Sequence, residues 1–318
     1  MITLGLFIVG FILLIKGADY LVIGASSLAF RLGIAPLVIG LTIVAFGTSA
    51  PELVVNLLAS FSGNTDIAIG NILGSNIINI LVILGVTAII YPLTVQKSTV
   101  WKEIPFALLA VVVLAFLASD ALIDGASSSL LTRIDGLVLI SFFVIFLYYI
   151  VTIAKQAPAD TVDKPAKMTL GRSGLLIFSG LVGLVVGGKW IVDGAIVFAQ
   201  NMGVSEALIG LTIVAIGTSL PELATSVVAA FKKNSDIAIG NIVGSNIFNI
   251  FWILGISAFI TPLPFSEAMS TDILVTLGVT VLLFLALFIG KRHTIEKWQG
   301  VGFLGLYILY IIFLLGRG

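Results

Sequence analysis

Ten apolar segments dominate this sequence, at roughly 2–30, 35–61, 67–91, 103–119, 134–154, 172–200, 205–231, 237–261, 271–290 and 297–315. An α-helix needs about 20 apolar residues to cross a hydrocarbon core, and each segment approaches or exceeds that. Charge supports the same reading. Only 10% of residues are charged and 59% are hydrophobic, where a soluble domain carries about 25% charged residues and needs them to face water. A transmembrane barrel would show alternating stretches of about ten residues, and none occur. The expectation is an all-α membrane protein with ten transmembrane helices. A cleaved leader is the competing reading of Met1–Ile15, but no basic stretch precedes the apolar run.

The chain also repeats itself. Residues 35–85 align with 205–255 at a constant offset of 170 without gaps, and 32 of these 51 positions are identical. Ile39–Leu53 reads I-G-L-T-I-V-A-F-G-T-S-A-P-E-L and Ile209–Leu223 reads I-G-L-T-I-V-A-I-G-T-S-L-P-E-L. Asp66–Ile80 and Asp236–Ile250 match equally well, and each aspartate is expected to cap its helix. Gly17, Gly24 and Gly33 match Gly187, Gly194 and Gly203, which makes the first segment part of the architecture. The stretch Lys155–Arg172, with two prolines and mixed charge, reads as a linker. Residues 1–154 therefore form a first five-helix repeat, 155–171 a cytoplasmic linker and 172–318 a second repeat. An odd number of spans per copy inverts the second copy, a recurrent transporter arrangement with its site at the midplane. Twelve Lys and Arg fall in one set of loops and only Arg133 and Arg317 on the other face. The rule that cytoplasmic loops carry the positive charge places both termini extracytoplasmic in the cell (inner or plasma) membrane.

The chemistry lies in the duplicated G-T-S-x-P-E. A carboxylate within the bilayer costs about 2.5–3.5 kcal/mol on insertion scales, so Glu52 and Glu222 need a purpose. Pro51 lacks an N–H, frees the Gly47 carbonyl and loosens those around Ala45; Gly47 eases the bend. Thr48, Ser49 and Glu52 then gather hard oxygen donors at one helix break, and Thr218, Ser219 and Glu222 repeat the set beside Ala215. Ser75 and Asn79, like Ser245 and Asn249, lie four apart on one helix face. Gly70, Gly74, Gly240 and Gly244 leave room for close helix approach. Hard oxygens suit Na⁺ or Ca²⁺. Two ionised glutamates are neutralised by one Ca²⁺ or by two Na⁺, and competition at a shared site is the basis of exchange. Asn71, Asn76, Asn241 and Asn246 are expected to bond between helices. Lys16 with Asp19, and Lys189 with Asp193, are expected to be structural, as neutralised ion pairs or snorkelling residues, and His293 a solvated loop residue. With no cysteine, thiolate metal sites are excluded; with one histidine, neither a His-rich metal cluster nor a membrane Ser-His-Asp triad is expected, and the net charge of zero gives no sign of nucleic acid. No cofactor or obligatory protein partner is indicated, and the chain is not read as an enzyme.

Paired G-T-S-x-P-E with paired G-N-x-x-G-S-N, in Gly40–Asn79 and Gly210–Asn249, resembles the cation/Ca²⁺ exchanger superfamily. The likeness is to prokaryotic sodium/calcium exchangers of the inner-membrane antiporter type. It implies two inverted repeats working by alternating access, with Ca²⁺ and Na⁺ as substrates. By motif position it implies Glu52 and Glu222 as central carboxylates, completed by Asn79 and Asn249. Thr48, Ser49, Ser75 and the Ala45 carbonyl would serve one Na⁺ site. Thr218, Ser219, Ser245 and the Ala215 carbonyl would serve the other. Some relatives carry Asp in place of Asn249; Asn in both copies argues against K⁺ co-transport. Exchange of three Na⁺ for one Ca²⁺ would be electrogenic. H⁺/Ca²⁺ antiport, with the same glutamates carrying protons, remains the alternative.

Overall fold

The structure is a computed structural model that describes residues 2–123, 125–154, 168–201, 215–265 and 267–317. Most of the linker, and residues 202–214 at the start of the seventh apolar segment and of the second repeat motif, lie outside them. The described chain is helical. In chain order it comprises α1 (Ile2–Leu32), α2 (Pro36–Thr48), α3 (Ala50–Phe61), α4 (Thr65–Ile90) and α5 (Lys97–Leu117, interrupted at Lys102). There follow α6 (Arg133–Ala154), α7 (Leu170–Asn201), one turn at Ala215–Thr218, α8 (Leu220–Phe231), α9 (Ser235–Ile260), α10 (Glu267–Ala286) and α11 (Lys297–Arg317). Eight of these helices are long and apolar enough to cross a membrane, and nine if α2 and α3 count as one span bent by 45°.

Burial ranks the helices. In α4 and α9, 78% and 83% of the most apolar stretch is buried, against 17–39% in the other six long helices. A helix apolar on all sides belongs at the centre of a bundle. The centre is thus built from the two copies of one sequence. Glycine permits the contact. Gly240 meets the backbone of α2 at Gly40 and Leu37, and Gly244 meets Leu41, as the sequence led one to expect. The residues that the repeat would set against Gly70 and Gly74 lie outside the described range. Around this centre, α1 and α7 run antiparallel along their length. Gly10 faces Gly187, Gly17 faces Gly180, and Gly24 faces the Ser173 carbonyl, each so closely that an added Cβ would stand 2.7–2.9 Å from the opposing backbone.

Short antiparallel ladders tie the helix ends. β1 (Leu93–Thr94) pairs with β4 (Thr294–Ile295), and β2 (Ser129–Leu131) with β3 (Leu263–Phe265). The β1–β4 end also holds the Gln96–Asp236 bond (2.6 Å).

Several sequence expectations are corrected at the helix ends. Asp66 and Asp236 sit in the first turn of their helices, and the cap positions belong to Asn64 and Asn234. The Asn234 side chain accepts from Ile237 N, as a short amide one residue before the first turn can. Lys189 and Asp193 do pair, at 2.7 Å. Asp19 pairs with Lys232 and not with Lys16, because α1 crosses the end of α8 and brings a long cation within 2.7 Å. His293 is half-buried and packs edge-on to Phe288; its φ of 56° turns the chain sharply there.

Candidate functional site

The α2–α3 break falls at the duplicated motif. Ser49 leaves helical geometry (φ −81°, ψ 9°), and Pro51 follows in the first turn of α3, where its missing N–H costs nothing. Ser219 repeats this conformation (φ −86°, ψ 6°) before Pro221. Each glutamate thereby stands in the first turn of a new helix, where the helix dipole favours an anion. Glu52 and Glu222 are both buried to 1% exposure. Gly47 has a role besides the bend: a Cβ there would run into the Leu181 side chain of α7, and one on Gly217 into Val192.

Hydrogen bonds join the motifs crosswise. Ser49 Oγ lies 2.9 Å from Glu222 Oε1 and 3.0 Å from Ser245 Oγ, which is itself 3.4 Å from Glu222 Oε1. In mirror fashion, Ser219 Oγ lies 3.2 Å from Glu52 Oε1 and 3.3 Å from Ser75 Oγ, which is 3.4 Å from Glu52 Oε1. When both hydroxyls of a cluster donate to the carboxylate, their lone pairs remain free for a cation. These hydrogen bonds run between the two motifs and not only within each. Ser49 belongs with Ser245 and Glu222, and Ser219 with Ser75 and Glu52, because packing sets the break of one half against the central helix of the other. Thr48 donates to Asn241 Oδ1 (3.0 Å) and lies 3.3 Å from the Ala45 carbonyl. That carbonyl also accepts from Ser49 N, which occupies one of its two lone pairs. Thr218 is 3.5 Å from Asn71 Oδ1. Ala215 opens the turn that ends at Thr218.

The four remaining asparagines hold this scaffold, as expected of inter-helix bonding. Asn71 Nδ2 reaches Asn56 Oδ1 (2.7 Å) and the Glu52 carbonyl (3.5 Å). Asn241 Nδ2 reaches Ser226 Oγ (3.0 Å) and the Glu222 carbonyl (3.3 Å). Asn79 donates to Asn246 Oδ1 and Asn249 to Asn76 Oδ1, both at 2.9 Å, which locks α4 to α9. Asn79 and Asn249 also sit where each central helix widens into a π-helical stretch, Asn79–Leu84 and Phe248–Leu254, a device concentrated at functional sites. Sequence reasoning missed Asn56 and Ser226. Their signal was present, since each lies four residues beyond a glutamate on one helix face.

Four oxygens remain. Glu52 Oε2, Glu222 Oε2, Asn79 Oδ1 and Asn249 Oδ1 are buried and have no hydrogen-bond partner among the described residues. An unpaired buried polar atom costs about 1–3 kcal/mol, and here four of them, in two equivalent pairs, are all acceptors. Hard cations satisfy such a set. The donors gathered here are carboxylate, amide and hydroxyl oxygens, a hard set that suits Na⁺ or Ca²⁺.

The family described as "Sodium/calcium exchanger protein" matches residues 2–152 and 172–316. The inner membrane protein YrbG of Escherichia coli (strain K12) is 40% identical over 326 residues, covering 99% of this chain and 97% of that one. The sodium/calcium exchanger MaX1 of Methanosarcina acetivorans is 32% identical over 348 residues, covering 99% of each. A solved structure of the sodium-calcium exchanger NCX_Mj, soaked with Na⁺ and Sr²⁺, superposes with a TM-score of 0.84 at 35% identity over 98% of both chains.

Proposed function

Because this chain belongs to the sodium/calcium exchanger family, whose members are transporters and not enzymes, we propose that it exchanges Na⁺ for Ca²⁺ at a midplane site built around Glu52 and Glu222. The observation that carries the reading is the set of four buried, unpartnered acceptor oxygens on Glu52, Glu222, Asn79 and Asn249. Two carboxylates and two amides balance one Ca²⁺. The hydroxyl clusters at Ser49/Ser245 and Ser219/Ser75, with Thr48, Thr218 and the Ala45 and Ala215 carbonyls, supply the neutral oxygens that flanking Na⁺ ions need. Ca²⁺ and several Na⁺ then compete for the same carboxylates. Exchange of three Na⁺ for one Ca²⁺ moves one net charge, and 100 mV across the membrane then contributes about 2.3 kcal/mol per cycle. Two amides, where a third carboxylate would add charge, leave no counter-charge for K⁺.

The architecture that fits is ten helices in two inverted halves, 1–154 and 172–318, joined by the linker 155–171. The antiparallel course of α1 and α7, the first helix of each half, supports inversion. The apolar segment that completes the ten is 205–231, of which the turn Ala215–Thr218 and α8 are described. The loops rich in Lys and Arg support a cytoplasmic β1–β4 end with both termini outside. Alternating access follows if one half rocks against the other around the fixed site.

Uptake of ⁴⁵Ca²⁺ into proteoliposomes loaded with Na⁺, compared with Na⁺-free vesicles and vesicles holding only a pH gradient, tests this. Uptake driven by internal Na⁺ is expected. Uptake driven by the pH gradient alone would replace sodium with protons as the counter-ion.

A further inference from the structure

Leu81, two residues beyond Asn79, floors a groove of about 590 Å³ between α10 and α11. Its equivalent in the other half is Phe251, by the offset of 170. Phe251 is fully buried, stacked on Phe142 (5.4 Å, 10°) and edge-on to Phe106 (5.7 Å). The two halves share one landmark here. The Tyr149 hydroxyl of α6 bonds the Glu103 carboxyl of α5, and the Tyr310 hydroxyl of α11 bonds the Asp272 carboxyl of α10 at 3.2 Å. Aligning Glu103 with Asp272 sets Phe106 against Val275 and Leu109 against Gly278. Val275 and Gly278 are both groove-lining residues. An aromatic plug in one half is therefore a groove in the other, and a Cβ on Gly278 would meet nothing within 4 Å among the described residues.

We propose that this groove binds one phospholipid acyl chain, from the leaflet at the Thr271 end, which takes the place that Phe106 fills in the other half. Both walls are membrane-length helices, so lipid is the surrounding medium. From Thr271 to Leu282 the groove spans about 16 Å at 1.5 Å per residue, close to half of a 30 Å hydrocarbon core and so one leaflet deep. Its side-chain polar atoms are confined to Thr271 and Tyr310, with Asp272 beside them, at the end nearer the membrane surface. That is the order of a lipid: polar head region outside, methylene chain within. The bound chain packs behind Leu81 and so behind the helix that presents Asn79. This rests on the membrane embedding of α10 and α11 and not on which ion is exchanged.

The test uses the full chain in bilayers containing phosphatidylcholine with a photoactivatable diazirine midway along one acyl chain. After illumination, labelled peptides are mapped by mass spectrometry. Labelling is expected to concentrate on 275–282 and 306–313. It should be lost in Val275→Phe and in Gly278→Leu, which rebuild the filling of the other half, and kept in Gly302→Leu, where a Cβ also meets nothing within 4 Å. Either filling variant suffices if the other does not fold. Labelling spread evenly over lipid-facing residues such as Val144 and Tyr148 of α6, labelling that survives both filling variants, or links from one copy of the chain to another across the groove would overturn the proposal.

Discussion

Replacing Glu222 by Gln changes charge with almost no change in shape, and its consequence can be worked out from the site. Glu222 Oε1 takes the Ser49 and Ser245 hydroxyls at 2.9 and 3.4 Å, while Oε2 has no partner among the described residues. The Gln amide oxygen can keep the Ser49 bond. The other terminus becomes an NH₂, a donor where a cation needs an acceptor. The lost charge acts on a divalent ion twice as strongly as on a monovalent ion at equal distance. At an effective dielectric of about 20, a unit pair at 4 Å is worth about 4 kcal/mol and a 2:1 pair about 8 kcal/mol, before relief of carboxylate desolvation offsets part of it. A net loss of at least about 3 kcal/mol for Ca²⁺ remains, which is more than roughly a hundredfold. The assay is Na⁺-driven ⁴⁵Ca²⁺ uptake, paired with thermal unfolding in detergent. Uptake should fall to background and the Ca²⁺-dependent rise in Tm should vanish. The ion-free variant should unfold no lower than the parent, because burying a neutral amide costs less than burying a carboxylate. Parent-level uptake in the Gln variant would refute the assignment of Glu222 to the cation site.

Other expectations follow from neighbouring contacts. Ser49→Ala removes one neutral oxygen and one bond to a carboxylate, worth about 1.5–3 kcal/mol; apparent Na⁺ affinity in transport assays should fall by roughly tenfold or more, with Ca²⁺ binding, read by its Tm shift, less affected. Asn241→Ala deprives Thr48, Ser226 and the Glu222 carbonyl of a shared partner and should lower stability by about 1–3 kcal/mol in thermal unfolding. Gly17→Ala would place a Cβ 2.8 Å from the Gly180 carbonyl; forcing α1 from α7 should cost about 1–3 kcal/mol and lower Tm. In the loop before α11, the Lys291 N–H and the Trp298 indole hold the Glu296 carboxyl below the usual range. A depressed native value stabilises the fold above the unfolded-state value, and this is lost as pH falls through the native one. Glu296→Gln should therefore lower Tm at neutral pH and make no difference in acid.

The amino-acid sequence by itself determined the medium, the helical class, the duplication and the acidic motifs. Those properties are written in apolar length, in a constant offset of 170 and in the cost of a carboxylate in lipid, none of which depends on which helix lies beside which. Helical periodicity also placed Ser75 with Asn79 and Ser245 with Asn249 on single faces, because spacing along one helix is local geometry. Tertiary structure alone decided the partners across helices. It set Ser49 against Glu222 and Ser245, gave Asp19 to Lys232, engaged the Ala45 carbonyl within its own helix, and left a groove at Leu81 where Phe251 is packed shut. Such contacts join residues up to 213 apart in the chain, and a repeat tells which residues are equivalent without telling which of them face each other. That choice belongs to packing, where glycines at Gly40, Gly240 and Gly244 let two backbones touch and so bring α2, which ends at the first helix break, against the central helix α9.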